Sequence, residues 1–203
     1  MDAKKIMIHN AIFQTPIFIK SLDGLTDREN LYELIDNEVE VDWSPDWKYD
    51  IFQSESRHLH KSERYQNFVK EIHTAIKETC NIYQYQEYTI EITEMWGNRQ
   101  RPGTHFKYHR HNNNIFSGVF YLNEHEHFPG LIFYRPMEKS FELLVKEHNP
   151  FTRDTYSVPT TKDMLIIFPA WLVHHVPTNK TDIDRLGISF NVMLRGNTYN
   201  SML

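Results

Sequence analysis

Histidine carries most of the chemistry this chain could perform. Twelve are present, and the spacing His-x-His recurs at His58/His60, His109/His111 and His125/His127. Residues two apart on a strand share a face, so each pair could chelate a metal ion or could be two solvated imidazoles. Context singles out the second pair. His109 and His111 end one predicted strand, just before a turn at 112–114 and a further strand at 115–122. Much later the run Phe168-Pro169-Ala170-Trp171-Leu172-Val173-His174-His175-Val176 brings a third imidazole, His174, and Arg185 follows eleven positions after it. Two ligands from one strand, one from a distant strand and a cationic fork beyond them form the layout of a non-haem iron oxygenase.

Those side chains need a scaffold, and the hydrophobic pattern predicts one. From Tyr85 onward the period is two, in short segments divided by turn residues, which predicts strands at about 86–97, 104–111, 115–122, 130–135, 154–159, 163–168, 172–177 and 185–194. In the last of these Leu186, Ile188, Phe190, Val192 and Leu194 face one way, while Arg185, Gly187, Ser189 and Asn191 face the other. Before residue 85 lie an extended stretch over 6–19, broken at Pro16, and two amphipathic helices. The first has the capping-box form Thr26-x-x-Glu29 ahead of Leu31, Leu34 and Ile35; the second has Ser62 as its cap ahead of Tyr65, Phe68, Val69, Ile72 and Ile76. The expected fold is mostly β, a double-stranded β-helix (a cupin-like jelly roll) with the N-terminal helices packed on the outer face of one sheet. It reads as a single domain over 1–203, with strand and helices in 1–84 and the jelly-roll core in 85–195.

Six motifs now stand together: Trp96-x-Asn98, His109-x-His111, Ser117-Gly118-Val119-Phe120-Tyr121-Leu122, Gly130-Leu131-Ile132-Phe133, Phe168-Pro169-x-Trp171-Leu172-x-His174-x-Val176-Pro177 and Arg185-x-x-Ile188-Ser189-Phe190-Asn191. As a set they resemble the 2-oxoglutarate/Fe(II) oxygenases of bacteria and tailed bacteriophages, distant relatives of prolyl hydroxylases. The resemblance covers roughly residues 85–195, with a weaker echo in Phe13-x-Thr15-Pro16-Ile17-Phe18. It implies a dioxygenase, a hydroxylase, that uses Fe(II), 2-oxoglutarate and dioxygen. His109 and His174 would be iron ligands, His111 would take the second ligand position, and Arg185 would bind the far carboxylate of 2-oxoglutarate. Physical chemistry agrees, since three protein ligands leave room on iron for a bidentate 2-oxo acid and dioxygen, and a planar guanidinium grips a carboxylate through two parallel bonds. Ser189 and Asn191 share Arg185's strand face, and Ser117 and Tyr121 share that of the neighbouring strand, so these four are candidates to complete the cosubstrate pocket.

Two departures stand out. The wider superfamily usually has a carboxylate where His111 stands, and a neutral ligand there leaves the site one unit more positive. The third ligand therefore stays open between His111 and a nearby acid such as Glu124 or Glu126. Gly187 occupies a position where many relatives carry a small hydroxyl residue.

Composition narrows the remaining classes. A net charge of -5, from 22 Lys+Arg against 27 Asp+Glu, is the wrong sign for a protein that neutralises phosphates, so no nucleic-acid partner is expected. No 18 apolar residues run together to span a membrane, and the one cysteine, Cys80, fits a reducing compartment, so a cytoplasmic protein is expected. A chain this long can build its core without a structural metal, which makes any metal functional. The prime substrate expected by analogy with prolyl hydroxylases is a protein or peptide side chain. Two rival readings remain: a three-histidine cupin metalloenzyme that does not use 2-oxoglutarate, and a non-catalytic jelly-roll structural or binding module. His175 should face away from His174, His125 and His127 should lie in a loop, and Trp96 and Trp171 read as packing residues.

Overall fold

A computed structural model of the chain describes residues 13–38, 41–42, 51–137 and 143–196. Its strands are β1 (Phe18–Ser21), β2 (Val41–Asp42), β3 (Ile51–Gln53), β4 (Tyr88–Gln100), β5 (Phe106–His109), β6 (Phe116–Tyr121), β7 (Leu131–Tyr134), β8 (Thr155–Val158), β9 (Met164–Pro169), β10 (His174–Val176) and β11 (Arg185–Gly196). They form two antiparallel sheets, a larger one in the order β1-β9-β6-β11-β4-β3-β2 and a smaller one in the order β5-β10-β7-β8. Each strand expected after residue 85 is present, and the architecture is the expected double-stranded β-helix. Residues 6–12 of the expected opening stretch lie outside the described residues.

Alternation along β11 decides what goes where. The strand is hydrogen-bonded to β4 on one side and β6 on the other. Its residues Leu186, Ile188, Phe190 and Val192 enter an apolar cluster with Leu31, Leu34 and Ile35 of helix α1 (Arg28–Glu38) and Phe68, Ile72 and Ile76 of helix α2 (Gln66–Tyr83). Phe190 is fully buried, and its ring lies over Gly118, where a Cβ would come within 2.3 Å of it. A second apolar cluster fills the space between the sheets, with Tyr121, Ile166 and Phe168 meeting Leu131, Phe133 and Val158. Opposite Asn191 the register of β4 shifts, a bulge at Thr93, so that Ile92 on the far side of it still pairs with Val192 and faces the helices.

The helix starts differ from the sequence expectation. Helix α1 begins at Arg28, and the predicted capping box does not form; Thr26 and Asp27 serve the other helix instead. The Asp27 carboxylate accepts the Phe68 backbone N–H at 3.0 Å and the Asn67 amide at 2.8 Å, and the Asn67 amide also reaches the Thr26 hydroxyl at 3.0 Å. Phe68 is the third residue of α2, whose own preceding residue, Tyr65, offers no side-chain acceptor, so an acid from across the helix pair meets one of its orphan donors. Ser62 caps a 3-10 turn at Glu63–Tyr65, where its hydroxyl accepts the Arg64 N–H. Trp171 does not pack either; it stands on the turn between β9 and β10 with half its surface exposed, while Leu172 takes the buried place.

Because Phe190 fills a closed site between β11, β6 and the helices, Phe190→Ala should lower stability by about 3 to 5 kcal/mol in denaturant unfolding. A loss under about 1 kcal/mol would contradict the packing described.

Candidate metal and cosubstrate site

His109 and His174 are paired directly across the β5–β10 ladder, with ring centroids 4.2 Å apart. The expected strand carrying both His109 and His111 stops at His109. His111 lies just past it, held by a hydrogen bond from its backbone N–H to Ala170 O at 2.9 Å, and its ring lies 5.1 and 5.3 Å from the other two. One ligand atom from each of the three rings falls within 4.8 Å of the others, a group that could hold a metal ion. Glu124 and Glu126 stand elsewhere. Glu124 accepts the Lys162 backbone N–H at 3.1 Å, and Glu126 is exposed beside His127.

Two of the rings are oriented by the main chain. His109 Nδ1 lies 2.7 Å from Lys107 O and His174 Nδ1 lies 2.9 Å from Leu172 O. A carbonyl only accepts, so each Nδ1 carries the proton and each Nε2 lone pair is left for a cation. Burial makes protonation hard. Desolvation, with the neighbouring His109 charge next in weight, pushes His174 down to about 3; desolvation, then His109 and Arg57, push His111 down to about 4. His109 keeps an open edge, yet desolvation still lowers its pKa. All three rings are therefore neutral at neutral pH.

From these rings a cavity of about 650 Å³, mouth included, runs between the sheets to Arg185, lined on the way by Trp96, Ser189 and Tyr121 and, among the described residues, by no aspartate or glutamate. Arg185 is only 4% exposed. Its guanidinium lies over the Tyr121 ring at 4.4 Å and donates to Thr160 Oγ1 at 2.8 Å, while its buried Nε has no partner. Among the described residues no carboxylate pairs with it. Desolvation draws its pKa below the ordinary value, as expected of a cation left without an anion. A dicarboxylate with one end on a cation held by the three imidazoles and the other at Arg185 would satisfy both ends. The donor set thus fits Fe(II) and 2-oxoglutarate.

Not every expected residue arrives at this wall. Ser117 and Asn191 hydrogen-bond each other at 2.7 Å, and Asn191 continues to Glu94 at 2.9 Å. Asn191 is six residues along β11 from Arg185, roughly 20 Å at 3.3 Å per residue, so the two cannot hold the same carboxylate. His175 turns to the outer face of the small sheet, where its Nδ1 meets the Tyr134 hydroxyl at 3.0 Å. His125 and His127 are in the loop after β6, and His58 and His60 pair edge to face at 5.7 Å with no third ligand beside them among the described residues. Gln53 on β3 and Thr160 join the site without any sequence signal, since each comes from a segment whose pattern is unremarkable.

Comparison with known proteins agrees with this geometry. Residues 94–191 match the family model described as "Putative 2OG-Fe(II) oxygenase". No curated protein matches the sequence. Solved structures of similar fold include a Pseudomonas putida prolyl-4-hydroxylase, 12% identical with a TM-score of 0.62 over 89% of this chain and 94% of that one. Another is the non-heme alpha ketoglutarate dependent epimerase SnoN from nogalamycin biosynthesis, 13% identical with a TM-score of 0.66 over 88% and 78%. A third is a Trichoplax adhaerens prolyl hydroxylase in complex with a peptide fragment, 12% identical with a TM-score of 0.59 over 87% and 83%. At these identities the likeness is one of fold.

The ligand assignment makes opposite forecasts for substitutions at His111 and at the two glutamates. His111→Ala should lose most Fe(II) in a stoichiometry measurement, because even groups behind the ligands cost about 10- to 100-fold in affinity, whereas Glu124→Gln and Glu126→Gln should keep it. Full iron retention in His111→Ala would remove His111 from the site. The depressed histidines also give metal-free protein a pH dependence. Unfolded chains protonate these imidazoles near pH 6.5, the ordinary value for histidine, while the folded chain resists until about 4 at His111 and about 3 at His174. The unfolded state binds more protons across that window, so stability falls as pH is lowered through it. A melting-temperature series in chelator should show that decline, and the double variant His111→Gln/His174→Gln should flatten it.

Proposed function

Residues 94–191 belong to the 2OG-Fe(II) oxygenases, and from that premise we propose that His109, His111 and His174 hold the iron and that Arg185, with Tyr121 and Ser189, holds 2-oxoglutarate. The chain is an oxidoreductase that takes Fe(II) as cofactor, 2-oxoglutarate and dioxygen as cosubstrates, and a prime substrate. Bound iron supplies the coupling of oxidative decarboxylation of 2-oxoglutarate, which yields succinate and carbon dioxide, to hydroxylation of a C–H bond. The protein's own part is to orient and to exclude. His109 and His174, with Nδ1 pinned to carbonyls, present fixed Nε2 lone pairs on one side of the cavity. Arg185 anchors the far carboxylate, and the Tyr121 ring beneath it keeps that end dry.

The observation that carries this reading is Arg185, a buried guanidinium with an orphan donor and, among the described residues, no anion, at the far end of a cavity that begins at three converging imidazoles. As prime substrate we assign a side chain of a protein or peptide, supported by the shared fold with prolyl hydroxylases, one of them bound to a peptide. We also assign the protein to the cytoplasm, which suits a ferrous site and the buried free thiol of Cys80; no helix among the described residues is long and apolar enough to cross a membrane. Its net negative charge argues against a nucleic-acid partner.

Anaerobic protein with Fe(II) and 2-oxoglutarate should develop a weak visible charge-transfer band and release succinate on exposure to air. Arg185→Ala should weaken 2-oxoglutarate binding by about 2 to 5 kcal/mol, the range for removing one partner of a buried charge pair, and leave Fe(II) binding intact. Iron binding with neither band nor succinate at saturating 2-oxoglutarate would instead favour a three-histidine metalloenzyme of another kind.

A further inference from the structure

We propose that the Ser189 hydroxyl donates a hydrogen bond to the metal-side carboxylate of 2-oxoglutarate, its proton aimed there by a one-way chain of side chains that starts at Arg57. The inference rests on the functional reading above and adds a residue set to it. Arg57 NH2 donates to Gln53 Oε1 at 2.7 Å, Gln53 Nε2 donates to Asn98 Oδ1 at 2.9 Å, and Asn98 Nδ2 donates to Ser189 Oγ at 2.8 Å.

The direction of this chain is forced at both ends. An amide can be turned end for end, but Trp96 Nε1, at 3.0 Å from Asn98 Oδ1, can only donate, so the Asn98 oxygen must face it. That leaves the Asn98 amide hydrogens for Ser189. At the other end the Arg57 guanidinium also can only donate, so Gln53 must offer it oxygen and turn its own hydrogens to Asn98. Two independent donor-only groups demand the same polarity. Ser189 therefore accepts from the chain, and its single proton has no acceptor among the described residues. Its side chain lines the cavity. A chain headed by a cation and polarised in one sense makes its last hydroxyl a stronger donor.

Position selects the acceptor. Ser189 is paired with Trp96 across β11–β4, and the Trp96 ring is 6.2 Å from that of His111, so Ser189 is at the metal end of the cavity. Arg185 is four residues away along β11, roughly 13 Å by strand rise. An arginine side chain and a five-carbon diacid together span that interval. With its far carboxylate on Arg185, 2-oxoglutarate brings its oxo-acid head to the level of Ser189.

The test uses Fe(II)-loaded protein without oxygen and reads two quantities, the Kd for 2-oxoglutarate and the wavelength of the charge-transfer band. Ser189→Ala should raise Kd by about 10- to 100-fold, the worth of a hydrogen bond to a charged group, and shift the band, with iron content unchanged; Ser189→Thr should restore both. Asn98→Asp keeps an oxygen for Trp96 and Gln53 but turns a second acceptor on Ser189, pulling its proton inward. It should therefore cost far more with Ser189 present than in the Ser189→Ala background. Unchanged Kd and band in Ser189→Ala, or equal costs of Asn98→Asp in the two backgrounds, would overturn the inference while Arg185-dependent binding left the functional reading standing. Wild-type protein that binds no 2-oxoglutarate would overturn both.

Discussion

A strand shows alternate residues to opposite sides, and β11, hydrogen-bonded along both edges, has no freedom to slip. A shift of one residue would drive Arg185, Ser189 and Asn191 into the apolar layer beneath α1 and α2 and turn Leu186, Ile188 and Phe190 toward the cavity. The helices, which bear no catalytic group, thus fix the chemistry indirectly. By covering one face of the sheet with Phe68, Ile72 and Leu31 they make that slip prohibitively unfavourable. Gly118 belongs to the same constraint, because only a residue without a Cβ lets Phe190 settle on β6.

Set against that secure frame, the cavity is electrostatically one-sided. Arg185 is buried, three imidazoles converge, and among the described residues no acid lines the wall. Tyr121 offers its ring face and Thr160 one hydroxyl, which offset only part of the cost of desolvating a guanidinium. The free protein carries this cost, and an anionic ligand relieves it. Neutral histidines would serve the same end in the proposed site, since an iron held by three of them would keep its full double charge and attract an acid more strongly than one already bound to a carboxylate.

How far the sequence disclosed this varies with the range of the interaction. The strands after residue 85 were legible because each has a two-residue period and turn residues at its ends, and β11 stated its own two faces. His109, His111, His174 and Arg185 were legible because type and spacing carry metal chemistry. Ser117 and Asn191 were misplaced because a shared strand face does not say how far along the strand the ligand reaches. The cap of α2 was illegible, as Asp27 is 41 residues from the N–H it accepts. Gln53 and Arg57 gave no sign either. Their roles depend on β3 lying beside β4, and a strand of three residues in an irregular stretch has no periodicity to read.

The interval from Arg185 to Ser189, whose cross-strand partner Trp96 lies beside His111, is a length of one continuous strand, and a pleated strand can change such a length only in steps. Moving the guanidinium while keeping it on the cavity face means two residues, about 7 Å, which is several carbon–carbon bonds. On the proposed binding mode, β11 is therefore a ruler with coarse graduations for the diacid, with no step as fine as one methylene. Finer discrimination among 2-oxo acids falls to the side chains that close the space around Arg185, Tyr121 and Thr160 first among them. On the same proposal, the cosubstrate's chain length is set in part by the backbone spacing along β11.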